Sequence, residues 1–299
     1  MSRTGTTAST RRALRREVVS TLGLVADAQD FATMRRYRTF THDDHRIYLR
    51  QAEALLKSLA GRGGHTTVAL FDPDDYAEFC AETGLDPDAP GSRGRYTAEL
   101  AATGACVAYT GQPMDELVPA LVHTVMRHTT WQYASRLLGE AGICADCGQD
   151  IGRAAFDHAS ELLTRLLDAA GPGTHHLVCS VPARGESLVA TLRTDRGPAG
   201  PAHFDSSEGA EFVTVLATGV ALDSPGGLVL RTSEPGAPDH VHGWRLERGR
   251  LAPLAAAEVF NAYCTDVLTG EPVPPEAGVE HLAGFDLAPG PEWPGHPHH

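Results

Sequence analysis

Apolar positions repeat at helical spacing through most of the first 170 residues and then change period. Leu14, Val18, Leu22 and Val25 form a stripe behind Ser9 or Thr10, predicting a capped helix to about Asp27. Residues 1–8 are small and polar and read as disordered. Thr41 and Asp44 resemble a capping box for a second helix, which carries Ile47, Leu49, Ala54, Leu55 and Leu59 and stops at Gly61 and Gly63-Gly64. Thr66 to Phe71 is a short apolar run between turn signals, so a buried strand. Asp72-Pro73 opens a helix that ends near Gly84. A loop, a helix over Arg95–Ala102 and a strand over Ala105–Tyr109 follow. This order suggests a small sheet with parallel pairing.

Two stronger helices come next. Met114, Leu117, Val118, Leu121, Val122, Val125 and Met126 start one that runs to Leu138, where Gly139 and Gly142 end it. Ile151, Ala155, Ala159, Leu162, Leu163 and Leu166 mark the other, from about Asp150 to Ala169. Beyond Gly171-Pro172-Gly173 the period shortens. His176–Val181 and Ser187–Leu192 read as a β-hairpin. A helix over Ser207–Leu222, strands over Leu228–Leu230 and Val241–Leu246, and a helix over Leu254–Tyr263 complete the pattern. The expected fold is α/β or α+β: a helix-rich part with a small sheet over residues 9–171, then a mixed part over 174–268. The Pro/Gly-rich residues 269–299 read as a mobile tail.

The chain has 299 residues, 42 % of them hydrophobic, which excludes a wholly disordered protein. Its formal charge of −13 argues against coating nucleic acid or an anionic membrane over its whole surface. Charge is uneven: residues 1–62 sum to +6 and the remainder to −19. A basic front on an acidic body can hold an acidic partner or nucleic acid, but it can equally pack against the body. Arg11-Arg12-Ala13-Leu14-Arg15-Arg16 and Arg35-Arg36-Tyr37-Arg38 could touch phosphates, without helix-turn-helix spacing to support them. No segment reaches the ~20 apolar residues of a membrane span, and the basic N-terminus lacks the apolar core of a secretory signal. The expected compartment is cytoplasmic, with six reduced cysteines.

The most specific chemical motif is Cys144-Ala145-Asp146-Cys147-Gly148. Two thiolates at this spacing can share one tetrahedral metal, and a glycine after the second suits the knuckle turn. A redox pair would place the cysteines at the mouth of the helix, whereas here the helix begins about three residues later. Two ordinary reduced thiols are the plainer alternative. For zinc, the expected ligands are Cys144, Cys147, His175 and Cys179, with His176 as substitute. Four protein ligands would make it a closed, structural Zn2+. His158, on the apolar stripe of its helix, reads as a buried, hydrogen-bonded histidine.

Other clusters carry less. Thr41-His42-Asp43-Asp44-His45 could do acid–base work, but its place at a helix start suits capping. His203 with His240 and His242 could bind a catalytic metal, without further ligands at a familiar spacing. No glycine-rich phosphate loop or Gly-x-Ser-x-Gly elbow is present, and Cys264 has no histidine nearby in sequence. The sequence therefore points first to a binding or regulatory protein with structural zinc and an unidentified protein partner. A metal-dependent hydrolase built on Asp44 and His45, or on His203, His240 and His242, is the alternative.

Overall fold

The computed structural model describes residues 20–61, 65–145, 147–197, 200, 202–265, 269–288 and 293. The fold is α+β, with two mixed sheets of three and six strands among the described residues. The chain divides into two compact units between His128 and Thr129. No helix among the described residues is long and apolar enough to cross a membrane.

The first unit runs β1 (Ser20–Leu24), α1 (Ala28–Met34), α2 (His45–Gly61), β2 (Thr66–Leu70), α3 (Pro73–Thr83), α4 (Pro90–Thr103) and β3 (Cys106–Ala108), then the first half of α5 (Met114–Glu140). The expected disorder of residues 1–8, and the helix expected as far as residue 19, lie outside the described residues. From Ser20 onward that expectation is corrected. Leu22 and Leu24 flank Gly23 with a period of two, and the segment pairs with β2 in parallel. The parallel pairing expected for the next two strands is also corrected, since β3 lies antiparallel to β2. Two helices separate these strands, and the three reversals along strand, helix, helix and strand bring β3 back antiparallel.

Both parallel strands end in the same device. Asp27 caps α1 through the amides of Gln29 and Asp30, and Asp72 caps α3 through those of Asp74 and Asp75. One sheet face packs Leu24 and Val68 against Ala52 and Leu56 of α2 and Leu117 and Leu121 of α5. The other side holds an aromatic cluster of Phe31, Phe71, Tyr76 and Tyr96 with Val25 and Met34.

The second unit contains the rest of α5, then α6 (Ile151–Ala170), β4 (Gly173–Ala183), β5 (Glu186–Arg196), α7 (Ser206–Ala221), β6 (Gly226–Ser233), β7 (Asp239–Glu247), β8 (Arg250–Pro253), α8 (Ala256–Tyr263) and β9 (Val279–His281). The sheet order is β5-β4-β6-β7-β8, with β9 parallel to β7. The expected hairpin is present, with Arg184 and Gly185 at positive φ in a two-residue turn.

A boundary at Gly171–Thr174 does not hold. The α6 stripe of Ala155, Ala159, Leu162, Leu163 and Leu166 belongs to the same core as Leu177, Leu192, Phe212, Leu216 and Trp244. An apolar stripe of this width must be covered, and α7 and the sheet cover it.

The expected mobile tail is corrected over residues 279–288. Leu282 donates its amide to Val241 O at 2.8 Å, and Gly284 donates to Leu254 O at 2.9 Å. Trp244 Nε1 donates to Phe285 O at 3.0 Å, with the two rings edge-on at 4.8 Å. Residues 289–292 and 294–299 lie outside the described residues.

Candidate functional site

The Cys144–Cys147 loop has the expected turn. Gly148 sits at φ 73° and donates its amide to Cys144 O at 2.9 Å. Cys144 is buried and Cys147 exposed. The other two expected zinc ligands do not meet at one point. His175 and Cys179 lie four residues apart on the continuous strand β4, a separation of about 13 Å at ~3.3 Å per residue, whereas one ion holds its ligands within ~2.3 Å.

Both ring nitrogens of His175 are engaged in the interior. Nε2 donates to Gly171 O at 3.0 Å, which leaves Nδ1 to accept from Thr232 Oγ1 at 3.0 Å. Burial lowers the His175 pKa and pushes the Cys179 thiol up to about 12. His176, the substitute, faces the opposite side of the sheet from His175 and is exposed. Among the described residues no group of three or more His, Cys, Asp or Glu is placed to hold a metal ion.

The alternative clusters also separate. Asp44 is the cap of α2, accepting the Ile47 amide at 2.8 Å, in the role expected for Thr41. His45 packs on Phe31 at 5.1 Å, its Nε2 3.3 Å from Val25 O. His203 pairs with Asp195 beyond the outer strand β5. His240 and His242 stand on β7, four strand spacings away across the sheet, about 19 Å at ~4.8 Å per spacing. His242 donates through Nδ1 to Ala283 O at 2.8 Å, and His240 lies 3.6 Å from Glu280. His158 is half-buried, with Nε2 2.7 Å from Gly249 O, a hydrogen-bonded role in keeping with its sequence. In the basic front, Arg36 and Arg38 pair with Asp74 and Asp88, and Arg11–Arg16 lie outside the described residues.

What the first unit does build is a cavity of about 450 Å³ along β1. Thr21, Leu22 and Gly23 form its floor, Tyr48, Gln51, Ala52 and Leu55 of α2 one wall, and Arg93, Gly94 and Thr97 of α4 another. Thr39, Phe40 and His42, from the segment between α1 and α2, complete the lining together with Val25, Met34 and Phe71. Gly23 is required by close approach. A Cβ there would lie 2.9 Å from both Phe71 Cδ2 and Thr97 Oγ1.

The polar groups of the lining divide by how far they are already used. The Tyr48 hydroxyl accepts the Val25 amide at 3.1 Å, and burial raises its pKa. Arg93 donates from both terminal nitrogens to Thr39, to Oγ1 at 2.7 Å and to the carbonyl at 3.1 Å. Two bonds leave its Nε–H and one hydrogen on each terminal nitrogen. No carboxylate pairs with Arg93, and Gln51 and His42 make no hydrogen bond, among the described residues. His42 instead stacks edge-on against Phe40 and Tyr48, both at 5.0 Å.

This site escaped the sequence reading almost entirely. His42 falls inside the Thr41–His45 cluster, but Arg93, Gln51 and Thr97 carry no spacing signal, because two helices distant in sequence, α2 and α4, bring them together.

A second depression of about 470 Å³ lies in the C-terminal unit. Thr174, His176, Thr191, Arg193, Arg231, Ser233 and Asp239 line it together with Glu208. One of its two arginines is already neutralised: Arg231 Nε donates to Asp239 at 2.6 Å, and its terminal nitrogens reach both oxygens of Glu276 at 2.9 and 3.0 Å.

Residues 9–112 match the family model of a Domain of unknown function (DUF8829), and every residue lining the first cavity falls inside that stretch. No curated protein and no solved structure matches the chain.

Proposed function

We propose that the N-terminal unit is a small-molecule binding module and that its ligand occupies the cavity along β1. The carrying observation is the composition of the lining. Leu22, Val25, Met34, Phe40, Leu55 and Phe71 supply an apolar body, and a few polar groups with spare hydrogen-bonding capacity stand among them. That combination, at a volume within the usual ~300–1,000 Å³ of ligand sites, fits recognition. The lining contains no Cys, Ser, Asp or Glu among the described residues, so it offers neither a carboxylate base nor a ready nucleophile. A binding or regulatory role agrees with this better than hydrolysis does.

The test uses the neutral fluorophore N-phenyl-1-naphthylamine, an apolar two-ring body that the cavity can hold. Saturable enhancement at one site per chain is expected, with a Kd near ~10 μM, or about −7 kcal/mol. Leu55, 46 % exposed at the rim, provides the control: Leu55→Trp narrows the mouth without disturbing the core. The variant is expected to weaken binding at least tenfold with an unchanged near-UV circular dichroism spectrum. Equal binding by wild type and Leu55→Trp, or none by wild type, overturns the proposal.

A further inference from the structure

Resting on the binding site just described, we infer that its ligand carries a single carboxylate, set against Arg93, on an apolar ring-sized body. Arg93 is the one formally charged side chain among the described lining residues, and it is a cation in a chain of net charge −13. It is half-buried, and it is held in place by two hydrogen bonds to Thr39. A partly desolvated guanidinium without a counter-charge is unfavourable unless something anionic completes it.

Its fixed position matters as much as its charge. Both terminal nitrogens are anchored to Thr39, so the plane of the guanidinium is set before a ligand arrives. The remaining hydrogens form the planar fork that suits a carboxylate. One cation fits a monoanion, whereas a phosphate dianion calls for further cations or a ring of backbone amides. The apolar share of the ligand follows from Leu22, Val25, Met34, Phe40, Leu55 and Phe71, which would be wasted on a small polar acid. Gln51 and Thr97 add neutral hydrogen-bonding groups that can fix orientation without adding charge.

A matched pair of probes separates this inference from the binding reading. N-phenyl-1-naphthylamine is neutral; 8-anilinonaphthalene-1-sulfonate has the same rings plus one monoanionic group that stands in for a carboxylate. The full-length protein is expected to bind the anion at least tenfold more tightly at low salt. That preference is expected to shrink at 0.5 M NaCl, because a half-buried charge is only partly screened. Arg93→Gln is expected to abolish the preference, read as the ratio of the two affinities within the same folded variant, and Arg93→Lys is expected to retain part of it.

Binding of the neutral probe with no preference for the anion overturns the inference and leaves the binding module standing. Failure of both probes removes the binding module itself. A preference that survives Arg93→Gln in folded protein also overturns the inference. If Arg93→Gln does not fold, wild type decides through the probe ratio and its salt dependence, measured beside Leu55→Trp. An anion preference that Leu55→Trp leaves intact places the anion elsewhere and overturns the inference.

Discussion

Arg93 and Arg231 are both partly buried arginines beside surface depressions, yet their surroundings differ in kind. Arg231, 27 % exposed, is locked by Asp239 and by a bidentate contact to Glu276. All its local electrostatics are satisfied inside the protein, and the three side chains tie β6 to β7 and to the segment before β9. Arg93 is oriented just as firmly, but by a neutral hydroxyl and a carbonyl, which fix its position without cancelling its charge. The first arrangement stabilises a fold, whereas the second holds a charge ready for something from outside.

Substitution should separate the two roles. Arg231→Ala is expected to destabilise the protein by about 2 kcal/mol, between an exposed ion pair and a fully buried one. Hydrogen bonding from Ser233 and Arg231 holds the Asp239 pKa below its ordinary value, and Arg231 does the same for Glu276. Their stabilisation is therefore present above the unfolded carboxylate range and lost as pH falls through the depressed folded values. The penalty of Arg231→Ala should shrink accordingly in acid. Arg93→Gln is expected to cost about 1 kcal/mol or less in the same melts, since no charge partner is stranded. A larger loss from Arg93→Gln than from Arg231→Ala would erase the distinction.

A smaller effect probes charge elsewhere in the N-terminal unit. Asp30 is pushed up to about 6 from 3.8, first by burial and then by Asp27, with Asp72 and Asp74 adding repulsion. A carboxyl whose folded pKa is raised stabilises the native state most below the unfolded pKa, and that advantage is lost as pH rises through about 6. Asp30→Asn is expected to raise stability at pH 7 by about 1 kcal/mol after allowing for solvent screening, with little gain at pH 4. Equal gains at both pH values would mean that ionisation of Asp30 is not the cause.

The elements that the sequence reveals are those whose cause is local. Asp150 and Asp205 cap α6 and α7, the α6 stripe has helical period, and Gly148 takes the positive φ that the cysteine turn needs. What the sequence hides depends on distant partners. Leu22 and Val25 fit a helical stripe on paper, and only pairing with β2 makes Ser20–Leu24 a strand. Residues 279–288 look mobile because prolines and glycines mask sparse anchors such as Leu282 and Phe285, yet those anchors bond to β7 and its neighbours. Four ligand-type residues at suggestive spacings do not make a site when two of them stand four apart on one strand. The cavity is the extreme case. Thr39, Gln51 and Arg93 come from three elements, and each residue type is ordinary at its position.

Hydrogen exchange with and without N-phenyl-1-naphthylamine, read by mass spectrometry on wild-type protein, tests the location of the site most directly. Slower exchange is expected in peptides covering residues 39–55 and 93–97, with the peptides of β4, β5 and β6 unchanged. Protection confined to the C-terminal sheet, or none anywhere at saturating probe, would contradict a ligand site along β1.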